Sequence, residues 1–386
     1  MNSKSLSVLV VVFVVLSGVF FLQSSQTSDE ADNRSRRLFQ DVQQTSGDIT
    51  QIDIRQGESE FRLARDGQEW VIPSRQGYPA DAGKVKSLLI KVLGLDVSQV
   101  VTKRAENFEK LGVTDEAVSK GKGAVFFKNE KGEEIVGIYL GDFRKKQHTS
   151  GLPAPLGQYV RRTDEETVYL ISDPISVVTT LTYWLDTTIA NKLQSNILSI
   201  EQFALSEDGE ELLYSFQRKE KDGPLQLEQE VPAGKKLKDV NVNQVRSSLE
   251  NVRLEDVFRA DAEQAKALNF DYKTRFLLSN GLIYEVASAK DDEKFYAKIA
   301  VSFDEAYGEK VSAEHEAETE ENKDAAETDG EAQKPKGPEL SSAAEAKKLM
   351  EQQYSKWIFV LPQYLGQKFR HTLADLFEAK SKEASA

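Results

Sequence analysis

The alternation of apolar and polar positions divides the chain into three regimes. The first is an uncharged apolar run, LSVLVVVFVVLSGVFFL, from Leu6 to Leu22. Its roughly 17 residues reach the short end of a membrane-spanning helix. Lys4 precedes the run, and Asp29 and Glu30 follow it, so the positive-inside rule leaves the N-terminus cytoplasmic and sends the rest outside. This predicts a cytoplasmic N-terminus over 1–5, a transmembrane anchor over 6–22 and a polar tether over 23–44. A cleaved signal peptide is the rival reading. It calls for a shorter apolar core and an A-x-A-like site, and the QSSQTS that follows Leu22 contains no alanine.

From Ile49 the period changes to two. Ile52 and Ile54, Phe61 and Leu63, and Trp70 and Ile72 alternate with polar residues, which predicts three short half-buried strands. Asp66-Gly67 suits a tight turn between the last two. Val85, Leu88, Leu89 and Val92 fall on one face of a helix, with Asp81 placed to cap its start and Gly94 its end. Another strand is predicted over 97–101. Hairpins are predicted over 124–140, around Glu130-Lys131-Gly132, and over 159–171, around Asp164–Glu166. Asp173-Pro174 then opens a predicted helix with Val177, Val178, Leu181, Trp184 and Leu185 on its apolar side.

The same order recurs downstream. ITQIDI from Ile49 resembles ILSIEQF from Ile197. VKSLLIKVLGLDV from Val85 resembles VRSSLENVRLEDV from Val245, with seven of thirteen positions identical or exchanging Lys for Arg. AENFEKLGV from Ala105 resembles AEQAKALNF from Ala262, a hairpin follows in both copies (the second around Asn280-Gly281), and YLISDP from Tyr169 resembles WIFVLP from Trp357. A domain-sized spacing argues for internal duplication rather than a solenoid. The expected fold class is α+β: an N-terminal transmembrane helix followed by two related, duplicated domains with mainly antiparallel sheets. Their expected limits are 45–193 and 194–380, with a tail over 381–386.

The third regime interrupts the second copy over 305–351. Its centre, EHEAETEENKDAAETDGEAQKPKGPE, has almost no large apolar residue, so an unfolded loop is expected there. The chain as a whole carries 63 acidic against 50 basic residues, a net charge of −13, which argues against nucleic acid as a partner. The acidic centre supplies about half of that excess and lacks the glycine turn and fixed spacing of a calcium loop.

Candidate chemistry is sparse. Cysteine is absent, which removes disulfides, thiolate metal sites and cysteine nucleophiles. No phosphate-binding loop, G-x-S-x-G elbow or H-E-x-x-H stands in the sequence. The three histidines, His148, His315 and His371, are scattered: a polar loop for the first, the acidic insert for the second and a helix face for the third. No catalytic, cofactor-binding or metal-ligating residue is assigned and no cofactor is expected. Paired-carboxylate hydrolysis stays open, since the many acids supply close pairs by chance. Trp70, Trp184 and Trp357 could form a sugar platform but lie in apolar patterns that favour core packing. Gly77–Asp81 reads as a helix entry with Tyr78 packed before it. Arg161-Arg162 reads as an exposed strand edge able to meet an anion.

Taken together, the N-terminal anchor, I-x-x-I-x-I, the strand ending E-W-x-I, the phrase GYPADAGKVKSLLIKVLGL and then K-L-G-V, Y-L-G, Y-V-R-R and V-Y-L-I resemble the domain-of-unknown-function 4340 family of bacterial envelope proteins. The resemblance spans most of residues 49–193 and, more faintly, the second copy; the acidic insert departs from it. It implies no established enzymatic activity. Family members are often encoded beside ABC transporters of the gliding-motility type, which implies an accessory extracytoplasmic subunit. The functional expectation is a non-enzymatic, single-pass protein of the bacterial inner membrane. Its bulk lies in the periplasm and binds membrane-protein partners, with ABC transporter subunits foremost. The alternatives are an envelope glycan-binding module and an envelope hydrolase.

Overall fold

A computed structural model describes residues 36–42, 46–145, 155–220, 223–311 and 340–380. Among the described residues no helix is long and apolar enough to cross a membrane. The predicted anchor, Leu6 to Leu22, lies outside the described residues, as does the acidic centre of the insert. The chain forms two compact units. The first comprises Met1–Val71 and Ala82–Tyr183, and the second Ile72–Asp81 and Trp184–Ala386.

The first unit is built on strands β1 (Arg36–Arg37), β2 (Gln51–Gln56), β3 (Ser59–Asp66), β4 (Glu69–Ile72), β6 (Asp96–Thr102), β7 (Gly123–Lys128), β8 (Glu134–Lys145), β9 (Pro155–Arg162) and β10 (Val168–Ile171), with β5 (Tyr78–Pro79) in the second unit. They lie in the order β1-β6-β10-β9-β8-β7-β2-β3-β4, every neighbour antiparallel. The expected turns are present: Gly67 and Gly132 have φ of 59° and 79°, a left-handed conformation that glycine adopts without a Cβ penalty. The helix Ala82–Leu93 buries Val85, Leu88 and Val92, and Leu89 is half-buried at its flank. The central strand β7 reads GAVFFK, and its first five residues are buried. A strand buried on both faces needs an apolar run instead of an alternation. Here Ala124 and Phe126 pack on one side with Phe108, Val113, Val118 and Tyr139.

The second unit contains β11 (Thr188–Ala190), β12 (Ile197–Ser206), β13 (Gly209–Arg218), β14 (Leu225–Leu227), β15 (Lys235–Leu237), β16 (Val252–Arg253), β17 (Asp256–Arg259), β18 (Phe270–Leu278), β19 (Leu282–Asp291), β20 (Lys294–Phe303), β21 (Trp357–Leu361) and β22 (Phe377–Ala379). Its main sheet runs β14-β13-β12-β18-β19-β20-β21-β17, and β11-β16 and β15-β22 form two small pairs. Set β1 and β5 aside and count the eight main strands of each unit in chain order. Read from the β6 end and the β17 end, both sheets then run 4-8-7-6-5-1-2-3, with a helix between the third and fourth strands.

Several expectations need correction. The helix predicted from Pro174 is reduced to Leu181–Trp184, and the residues before it form no regular element. Ser176 and Thr180 are exposed and Val177 to Thr179 only half-buried, so the stretch presents no buried apolar stripe. The second-copy helix is Asp239–Arg246 and stops within the stretch matched to residues 85–93. Leu249 and Val252 are still buried, beyond the helix end. The insert is ordered at both margins. Residues 305–311 are helical, and Ala343–Leu349 is a helix opened by a capping box between Ser342 and Glu345. His371 lies between two short 3-10 turns instead of on a helix face.

Candidate functional site

The most developed polar constellation lies in the first unit, where β9 ends in Arg161-Arg162. Successive strand residues face opposite sides, and the two arginines separate accordingly. The Arg161 guanidinium lies 4.9 Å over the Phe108 ring and 4.7 Å over that of Tyr139, and its Nε donates to the Val113 carbonyl at 3.0 Å. Arg162 turns the other way, onto the segment that enters the unit from the N-terminus. Its guanidinium sits 5.1 Å over Phe39. Nη1 and Nη2 clasp the Asp41 carboxylate at 2.9 and 3.1 Å, Nε and Nη2 clasp Asp164 at 2.9 and 2.7 Å, and Nη1 also reaches the Leu38 carbonyl at 3.2 Å. Glu165 stands 3.5 Å from Nε and accepts a 2.7 Å hydrogen bond from the Tyr169 hydroxyl.

This arrangement corrects the reading of Arg161-Arg162 as an exposed edge. Arg162 is 8% exposed and β9 is an interior strand of the sheet. Hydrogen bonding to Asp164, and then to Asp41, holds the guanidinium well above its ordinary pKa, against the opposing effect of burial. The same hydrogen bonds to Arg162 draw Asp41 and Asp164 below the usual carboxylate range. A fork-shaped cation that meets two carboxylates bidentately is geometrically specific as well as strong. Beside it opens a polar cleft of about 480 Å³, lined by Arg37, Gln40, Asp41, Arg162, Glu165 and Tyr169 among others. Leu38, Phe39 and Val42 are buried, and β1 pairs Arg36 with Val97 and Arg37 with Asp96. The constellation therefore clamps the chain where it enters the unit.

A second buried charge sits on β2. Asp53 is fully buried between Ile52 and Ile54, a place where alternation predicts an exposed side chain. The strands on either side supply its partners. From β3, Arg62 Nε donates at 2.6 Å and Nη2 at 3.3 Å; from β7, Lys128 Nζ donates at 2.7 Å. Gln51 adds its amide at 3.0 Å. Burial pushes the Asp53 carboxyl up, but the hydrogen bonds from Arg62 and Lys128 outweigh it and hold the group below its ordinary pKa. A smaller groove of about 190 Å³ lies at the Gly121–Gly123 end of β7, lined also by Gly141, Phe143 and Gln158. Gly141 has a packing reason: a Cβ there would stand 2.2 Å from the Leu111 carbonyl oxygen.

The remaining sequence candidates are dispersed. His148 and His315 lie outside the described residues. His371 is half-buried and meets Gln244 Oε1 at 2.8 Å. Among the described residues no cluster of three His, Asp or Glu side chains has metal-binding geometry. Trp184 and Trp357 are buried and Trp70 is half-buried, so none stands out as a flat sugar platform. Gly77–Asp81 does lead into the helix at Ala82, with Tyr78 buried, but it packs within the second unit. Sequence reasoning missed Asp53 and the partners of Arg162. The one available signal was an acid inside an I-D-I strand whose neighbours carry Arg62 and Lys128.

A family model described as Domain of unknown function (DUF4340) matches residues 70–272, just over half of the chain. No curated protein and no solved structure gives a significant match.

Proposed function

The chain belongs to the DUF4340 family, and from that premise we propose that it is a single-pass, non-enzymatic protein of the bacterial inner membrane whose extracytoplasmic units bind membrane-protein partners, as an accessory subunit of an ABC-type transport system. The observation that carries this reading is the Arg162 clasp on residues 38–41. With the anchor ending at Leu22, residues 23–35 can span no more than about 45 Å when fully extended. The clasp fixes the far end of that tether to the sheet, so the first unit is held near the bilayer. Confinement to that layer raises the effective concentration of any partner in the same membrane without requiring strong intrinsic affinity.

The two units are copies of one ancestral domain in this reading. The shared strand order and the ordered sequence parallels support it. Duplication doubles the binding surface, and it leaves the second copy free to acquire the insert after β20.

The hydrolase alternative requires one carboxyl with a raised pKa beside an ionised one. In the Arg162 cleft both Asp41 and Asp164 are drawn down instead. Burial of Trp184 and Trp357 weighs against the glycan-platform alternative.

Two measurements test the proposal. Alkaline phosphatase fused after residue 386 is expected to be active, because it works only outside the cytoplasm; an inactive fusion alongside an active cytoplasmic reporter refutes the topology. Affinity purification of the full chain from detergent-solubilised membranes is expected to recover integral membrane proteins. Those partners should persist when residues 6–22 are exchanged for an unrelated apolar helix. Recovery of none from either chain, or turnover of an envelope polymer abolished by one carboxylate substitution in a folded protein, overturns the binding reading.

A further inference from the structure

The second unit begins, in sequence terms, inside the first. Ile72–Asp81 leaves one sheet region, packs within the second unit, and is followed by a helix of the first. Its own turns shape it. Pro73–Arg75 is a 3-10 turn, Gln76 and Gly77 follow with φ of 51° and 85°, and the Gln76 and Gly77 N–H groups donate back to the Pro73 and Ile72 carbonyls. Arg75 clasps Asp256 through Nε at 2.5 Å and Nη2 at 2.9 Å. The Tyr78 ring meets Trp357 edge-on with centroids 5.1 Å apart, and Phe359 at 6.5 Å. Its hydroxyl donates to the Asp186 carbonyl at 3.1 Å. Beyond it, the Asp81 N–H donates to the Trp184 carbonyl at 2.8 Å and the Asp186 N–H to the Pro79 carbonyl at 3.2 Å.

Asp256 and Trp357 stand on β17 and β21, and β17 is the last strand of its sheet. A last strand carries a row of N–H groups turned away from its neighbour, which is a template for unwanted pairing unless it is covered. The ladder alternates, and Ala260, one residue beyond β17, donates inward to the Lys356 carbonyl at 2.8 Å. The N–H groups of Arg259 and Val257 are therefore the outward ones. Both are satisfied. Arg259 N–H donates to Gln76 Oε1 at 3.4 Å, and Val257 N–H donates to Asp256 Oδ1 at 2.8 Å, on the carboxylate that Arg75 holds.

We propose that Ile72–Asp81 is a detachable clip that seals the β17 edge of the second unit, with Arg75 and Gln76 as its side-chain attachments to β17 and Tyr78 holding it against β21. Covering of the strand edge thus depends on a segment that lies more than a hundred residues earlier in the chain. Release of the clip is the step that opens this edge, leaving the rest of the second sheet in place.

Hydrogen exchange read by mass spectrometry on the full chain in detergent tests this. Arg75→Ala combined with Gln76→Asn removes two attachments, and asparagine keeps the left-handed backbone while shortening the side chain. Exchange over 256–259 is expected to quicken at least tenfold, with the central strands β12 and β18 and the first unit's β2 and β7 unchanged. Gln76→Asn alone, too mild to unfold the protein, is expected to quicken the Arg259 amide and leave Val257 slow. Unchanged exchange over 256–259 in the folded double variant overturns the proposal. So does uniform acceleration across the whole second unit, which would make the segment ordinary core and not a clip.

Discussion

Removing the Asp53 carboxylate offers the sharpest test of how the first unit is held together. The group is fully buried, and the side chains of Arg62 and Lys128 are 48% and 20% exposed. Asp53→Ala deletes hydrogen bonds from both cations, each charge-assisted and worth about 1.5–3 kcal/mol. Leaving a buried cation unpaired costs about 3–5 kcal/mol, but here both cations reach water and recover part of that. The expected loss is therefore about 2–3.5 kcal/mol, or about 5–12 °C in melting temperature for a unit of this size. Asp53→Asn keeps the shape and one acceptor, so about half that loss is expected. Replacing all three charges together, with Asp53→Leu, Arg62→Met and Lys128→Met, is expected to recover only part of the Asp53→Ala loss, since an apolar set matches an ion pair where it is buried and Arg62 reaches water. Trp70 is the first unit's sole tryptophan, so urea unfolding followed by its fluorescence, with Trp184 and Trp357 changed to Phe, isolates that unit. The pH dependence has a definite sign. A carboxyl held below its ordinary pKa stabilises the fold above about pH 4, and that contribution fades as pH falls through the depressed value. The gap between parent and Asp53→Asn must narrow in acid. A shift under about 0.5 kcal/mol for Asp53→Ala, or a gap that stays constant into strong acid, refutes the reasoning.

Three further outcomes are expected. Arg162→Met should free the N-terminal segment, hasten tryptic cleavage after Arg37 and cost about 1–3 kcal/mol, while Arg162→Lys should restore little because one ammonium cannot clasp two carboxylates. Leu249→Ala, fully buried in the second unit, should cost about 2–5 kcal/mol by urea unfolding read at Trp357, whereas the half-buried Leu89 should cost about half as much in the first. Burial, opposed by Asp375 and assisted by Lys238, holds the His371 imidazole below its ordinary pKa. The unfolded chain therefore takes up the proton first, near pH 6.5, and stability should fall as pH drops below that value; His371→Gln should flatten the slope between pH 7.5 and 5.

Local signals carried most of the strands and turns. Phe61 and Leu63 alternate because one face of β3 is buried, and Gly67, Gly132 and Gly281 mark turns because a left-handed residue is needed there. Helix lengths were less legible. Val245, Leu249 and Val252 have helical spacing and are all buried, yet the helix ends at Arg246. Apolar spacing reports which residues seek the core and does not specify the backbone path that takes them there. The Arg162 site shows the same limit: two adjacent arginines look alike in sequence, and only the sheet face each one meets separates them.

The sequence by itself determined the uncharged run, the α+β class with mainly antiparallel strands and much of the element order of the first unit, because these depend on residues close together in the chain. Tertiary structure alone decided that Asp53 is buried, that Arg162 clamps residues 38–41, and that Ile72–Asp81 packs with residues more than a hundred positions away. Each of these balances the desolvation of a charge or ring against partners brought from distant strands. No periodicity along the chain records which partners those are.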